Sequence, residues 1–163
     1  MVIPTNEIVP SGRLRRVEQI MDFVGTTGTG NRNMFTIAGG SIYCEMFVGH
    51  VRQAITATGA VSIFHEFTPT GIGALIALNT VLVITADPLN TIYTCTGVLA
   101  GALATAENGL CLTPSFATNN WILGPGVINL DILDGGAMGD IDGIIVWSIV
   151  YRPLNRLVTV VAA

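Results

Sequence analysis

The stretch DILDGGAMGDIDG, from Asp131 to Gly143, sets Asp131, Asp134, Asp140 and Asp142 within twelve residues. A hard cation such as calcium is held by several such oxygens, so these four carboxylates form a candidate metal site. The spacing of an EF-hand loop, with alternating acidic positions before a glycine and a bidentate Glu at the end, is absent. Asp and Gly also dominate ordinary turns, because Asp bonds its own nearby backbone and Gly takes positive φ. The leading expectation is a hairpin loop that keeps one end of an apolar strand pair wet, with calcium subordinate.

His50 and His65 lie near Glu45 and Glu66 on two successive candidate strands. Strand-borne metal sites of the cupin type use a paired H-x-H and a following Glu, and no such pair occurs here. His65 shares its spacing with Val61, Ile63 and Phe67, which suits a partly buried, hydrogen-bonded imidazole better than a ligand. Nucleophile candidates include Ser41, Ser62, Ser115, Ser148 and three cysteines, but neither a G-x-S-x-G elbow nor a Cys–His signature appears. GTTGTGNRN, residues 25–33, lacks the lysine of a phosphate loop and reads as a linker. The expectation is a protein without catalytic residues or cofactor.

Composition points towards a surface that partners cover. Hydrophobic residues make up 50% of the 163, and charged residues only 11%, against about 25% in an ordinary soluble domain. A monomer of this mass exposes roughly 7,700 Å², so its charges are thinly spread. The net charge of −4 argues against a general nucleic-acid binder. All seven basic residues are arginine, whose weakly hydrated guanidinium suits interface ion pairs. Cys44, Cys95 and Cys111 have no metal spacing and cannot all pair, so they read as buried thiols of a reducing cytosol. The N-terminus lacks the apolar run of a signal peptide. Residues 67–86 are uncharged over a bilayer's length, but Pro69, Gly71, Gly73 and Asn79 divide them, so no membrane span is expected.

The elements that position these residues are short strands. Residues 1–33 hold Arg13, Arg15, Arg16 and Arg32 and are expected to form an N-terminal arm and glycine-rich linker. That arm, with a strand or helix near Leu14–Val24, would lie on a neighbouring subunit. Residues 34–163 then form one all-β domain. MFTIAGG ends in Gly39-Gly40, a hairpin-type break. SIYCEMFVGHV, AVSIFHEFTP and GVINLDI alternate in character, as half-buried strands do. GIIVWSIVY is apolar on both faces: Ile145, Trp147, Ile149 and Tyr151 on one, Ile144, Val146, Ser148 and Val150 on the other. Such a strand is either central in a sandwich or presses its second face on another subunit. The interface candidates are therefore Arg13, Arg15, Arg16, Ile144, Val146, Trp147 and Val150.

Four segments, MFTIAGGSIYCEMFVGHV at 34–51, TIYTCTG at 91–97, GVINLDI at 126–132 and GIIVWSIVYRPL at 143–154, occur in that order. Together they resemble a group of small virion proteins of tailed bacteriophages encoded among the head genes. The likeness covers roughly 120 residues, from Met34 to Leu154. It implies a capsid decoration or cement protein with a jelly-roll-like antiparallel β-sandwich, assembled in the host cytoplasm. It further implies a homotrimer bound to the major capsid protein on the head exterior, with no catalytic residue. The acidic loop and the arginine-bearing arm depart from the family pattern, which leaves a tail or fibre-base component as the first alternative and a cupin-like metal-binding β-sandwich as the second.

Overall fold

Strict alternation of side chains across a strand organises the whole chain. The computed structural model describes residues 12–23, 30–56, 59–67, 76–95, 104–106, 121–134 and 142–163. Among them are twelve strands and no helix. These are β1 (Arg15–Asp22), β2 (Gly30–Ala38), β3 (Ile42–Gln53), β4 (Gly59–Phe67), β5 (Ile76–Ala77) and β6 (Leu82–Val83). They continue with β7 (Ile92–Thr94), β8 (Ala104–Ala106), β9 (Trp121–Leu123), β10 (Gly126–Asp134), β11 (Ile144–Pro153) and β12 (Thr159–Ala162).

Two antiparallel sheets result. The first runs β1-β11-β3-β7-β8, with β9 also on β3; the second runs β12-β2-β10-β4-β5, with β6 also on β4. The protein is an all-β sandwich. Consecutive long strands rarely pair with each other. β1 to β4 alternate between the sheets, and so do β9 to β12.

That alternation changes two readings of the turns. Gly39 and Gly40 have positive φ, at 77° and 145°, but the break they make carries the chain from the second sheet to the first. A Cβ on Gly39 would meet the Leu157 carbonyl at 2.2 Å, so the turn is seated against the β11–β12 connection. The acidic loop likewise leaves β10 in one sheet and enters β11 in the other, so it is not a hairpin. The proposed division at residue 33 falls inside β2. From Arg15 to Asp22 the expected arm is a sheet strand, paired residue by residue with β11 from Tyr151 to Ile144. Residues 1–11 lie outside the described ones.

The inner faces meet in one apolar core. The first sheet gives Phe47, Val51, Tyr93, Ile145, Trp147 and Ile149, and the second gives Phe35, Ile37, Ile63, Ile128 and Leu130, all essentially inaccessible. Rings link the layers. Phe35 of β2 meets Phe47 of β3 edge-on at 5.8 Å, Phe47 lies 5.6 Å from Trp147, and Tyr93 stacks on Trp147 at 6.1 Å, distances at which aromatic pairs attract. The uncharged run 67–86 is divided among the end of β4, β5 and β6, with residues 68–75 outside the described set. No helix among the described residues is long and apolar enough to cross a membrane.

Candidate interface on the outer face of the first sheet

The register of β1, β11 and β3 assembles the site. Arg16, Glu18, Ile20 and Asp22 stand opposite Val150, Ser148, Val146 and Ile144. Val150, Ser148 and Val146 in turn oppose Met46, Val48 and His50. Directly opposed residues share a face, and this one points away from the core. Its middle is apolar: Ile144, Val146 and Val150 are half-buried and Ile20 is 64% exposed.

Two of the arginines on this face, Arg16 and Arg152, are paired with carboxylates, while Arg52 has none among the described residues. Arg16 forms an ion pair with Glu18, its guanidinium donates to Ser148 Oγ at 3.1 Å, and Ser148 Oγ donates to Glu18 Oε1 at 3.1 Å. At the other end of β11, Arg152 pairs with Glu45. Exposed pairs of this kind contribute only about 0–1 kcal/mol to folding; here they leave the face close to neutral. His50 Nε2 lies 3.4 Å from Asn90 Oδ1, and Arg52 lies 3.5 Å from His50 Nδ1. Between the Arg16 and Arg52 margins runs an open groove of about 650 Å³, floored by Ile144, Val146 and Ser148 with Ile20 on its side.

The interface candidates divide. Ile144, Val146, Val150 and Arg16 converge on this face, whereas Trp147 does not. Trp147 is wholly buried in the core, because a one-residue step along a strand reverses the side. Arg15 also points the other way, and its Nη1 donates to the Val158 carbonyl at 3.4 Å, tying β1 to the start of β12. Arg13 is exposed just before β1. The interface expected from the sequence omits Glu18, Ile20 and Arg52, and His50 enters there only as a metal candidate. The Arg16, Glu18, Ile20, Asp22 period was there to read, but its partner strand was not.

Of the four acidic residues, Asp131 and Asp142 are held by different neighbours. Asp131 lies within β10, opposite Asn31 and Ser62. Asp142 accepts from the Thr56 amide at 2.7 Å and from the Thr56 hydroxyl, the capping use of an Asp. Asp134 ends β10 and Asp140 lies outside the described residues. No group of three or more His, Cys, Asp or Glu able to hold a metal occurs among the described residues. Asp142→Ala should therefore lower the melting temperature by about 2–4 °C, the equivalent of one lost cap of about 1 kcal/mol. Thermal unfolding with and without EDTA checks this; a loss seen only when calcium is present would restore the metal reading.

The histidines face opposite ways on strands of different sheets. His50 lies on the outer face, and His65 is fully buried within the second sheet's inner layer. Burial lowers the His65 pKa below its usual value, opposed by a hydrogen bond with the Gly124 backbone, so the ring is neutral at pH 7. Cys44 and Cys95 are buried, unpaired thiols. Burial pushes Cys44 up to about 12 and Cys95 well above the ordinary thiol range, which keeps both in the unreactive protonated form. Cys111 lies outside the described residues. The chain matches no family model, no curated protein and no solved structure, so its own geometry and sequence patterns carry the functional reading.

Proposed function

We propose that this protein is a non-enzymatic structural component of a bacteriophage virion, a decoration or cement protein on the outside of the head. The observation that carries the reading is the outer face of the first sheet. Ile20, Ile144, Val146 and Val150 make an apolar centre whose neighbouring charges, Arg16 with Glu18 and Arg152 with Glu45, are already paired. An apolar centre depleted of free charge, inside a polar rim, is the anatomy of a protein–protein interface.

The strand order agrees with that role. The order β1-β11-β3-β7 packed on β2-β10-β4-β5 supports reading the sandwich as a jelly roll, an arrangement recurrent in viral capsid proteins and also in lectins and cupins. The resemblance of the ordered motifs to those of phage head proteins favours the virion among these. The mechanism is mass action: a ligand that binds only the assembled lattice stabilises it by its own binding free energy, about 2.7 kcal/mol at a hundred times its Kd. Self-association into a trimer would multiply weak contacts.

The test is binding to expanded heads that lack the protein. Saturable binding is expected, with a rise in the temperature at which the shell ruptures. Heads that take up none of it, or labelling confined to the tail, would replace this reading with the tail or fibre-base one. Light scattering on the free protein should give 51.3 kDa, three times the 17.1 kDa chain.

A further inference from the structure

β1 is a long, regular edge strand. It has eight residues, no proline and an unbroken register along β11, and among the described residues no strand lies on its other side. Proteins ordinarily blunt such an edge with a proline, a bulge or a short strand, because its outward backbone groups template another chain.

The direction of those groups follows from one bond. The Phe23 amide donates to the Gly143 carbonyl at 3.0 Å, which continues the β1–β11 ladder by one step. In an antiparallel ladder, successive residues turn their N–H and C=O alternately towards the partner and away from it. Odd-numbered residues of β1 therefore bond to β11, and Arg16, Glu18, Ile20 and Asp22 turn theirs to the free edge. Side chains stand in for a strand at two of these: Arg32 donates to the Asp22 carbonyl at 2.9 Å, and Gln19 Nε2 to the Ile20 carbonyl at 3.5 Å.

We infer that β1 of one copy pairs antiparallel with β1 of a second copy about a two-fold axis at Gln19, which joins their first sheets into one. Two registers pair all but one of the eight residues and keep outer-face residues together. One overlaps residues 15–21 and sets Glu18 against its own copy, a like-charge pair that destabilises. The other overlaps residues 16–22 and sets Arg16 against Asp22 on both sides of the axis, Val17 against Met21, and Gln19 against itself. Charge selects the second. Apolar exposure points to the same side of the molecule. Leu14 and Ile20 lie beside and on β1, and Leu157 and Val161 beside and on β12, and all four are strongly exposed; the Arg15 bond to the Val158 carbonyl links these two edges. Exposed apolar residues flanking a self-complementary edge suit a second copy. The contact uses neither the outer-face groove nor the capsid lattice. Alone it gives a dimer; combined with a threefold contact it joins trimers edge to edge.

Cysteine scanning across the axis tests it, in a Cys111→Ser background with diamide as oxidant and non-reducing gels as the readout. Gln19 meets its copy at a non-hydrogen-bonded pair, where Cα atoms lie about 4.5 Å apart, within disulfide range. Gln19→Cys should give a 34.2 kDa band, twice the 17.1 kDa chain, with Glu18→Cys and Ile20→Cys at least tenfold weaker. A dimer at Glu18→Cys but not at Gln19→Cys would overturn the register. Equal yields at all three would mark chance collision and overturn the pairing, as would no dimer at any. Ile20→Pro removes an amide that β11 does not use, so added to Gln19→Cys it should cut the crosslink at least tenfold while the far-UV circular dichroism keeps its β spectrum. If the proline variant unfolds, Asp22→Arg should weaken the crosslink as much, and Arg16→Asp added to it should restore it. A crosslink indifferent to these changes would overturn the inference. Head binding is scored separately: a crosslinking protein that binds no heads sinks the capsid reading and leaves this one standing, and head binding without the crosslink does the reverse.

Discussion

Trp147→Ala is expected to cost about 4 kcal/mol of folding stability, read from the midpoint of urea unfolding. Set against total stabilities of about 5–15 kcal/mol, that is a large share. The indole is wholly buried and touches Phe47 and Tyr93, so its removal opens a cavity that both sheets line. Its Nε1 has no hydrogen-bond partner among the described residues, so Trp147→Phe, which removes that unmet donor, should cost far less. Gly49 lies directly opposite on β3, and a Cβ there would sit 2.8 Å from the indole ring. Gly49→Ala should therefore cost about 1–3 kcal/mol by overpacking. In the Trp147→Ala background it should cost much less, because the methyl enters the space left by the ring, and contacting residues couple by about 0.5–3 kcal/mol. Additive losses would show that the two residues do not share one site.

Stability should form a plateau between about pH 6.5 and pH 9 and fall on both sides. On the alkaline side, burial holds Cys44 at about 12 against 9.0 for a free thiol, and raises Cys95 as well. Burial also raises the Tyr93 phenol from 10.0, reinforced by its hydrogen bond to Asp87 and by that carboxylate's charge. For a group raised by folding, the stabilisation is full below the unfolded value and drains away as pH rises towards the folded one. The unfolded chain releases these protons first. Each such group contributes a slope of up to about 1.4 kcal/mol per pH unit. On the acid side His65 is lowered by burial from 6.5, so its contribution is present above that pH and is lost as pH falls below it. Urea unfolding across pH 5–11 measures both limbs. Cys44→Ala should flatten part of the alkaline limb, and His65→Gln should flatten the acid one. A profile level to pH 11 would mean the thiols and phenol are reached by water in the native state.

Much of this architecture is legible residue by residue, and the rest is not. Alternation within 42–51, 61–67, 128–132 and 144–151 marks strands with two distinct faces, because the side-chain period of a strand is a local property. It also identifies Ile144, Val146 and Val150 as sharing one face and Trp147 as belonging to the other. Which face meets the core depends on the opposing sheet, and only the packing of Trp147 on Gly49, Phe47 and Tyr93 decides it. Gly39-Gly40 announces a turn because positive φ favours glycine, yet nothing local says that the chain then changes sheets. The pairing of β1 with β11 joins residues more than 120 positions apart, and it brings Arg16 and Glu18 to Ser148. Propensity and period act over a few residues. Strand pairing is decided by which distant segments bury the most apolar surface while satisfying each other's backbone hydrogen bonds, and that is settled only in the assembled sandwich.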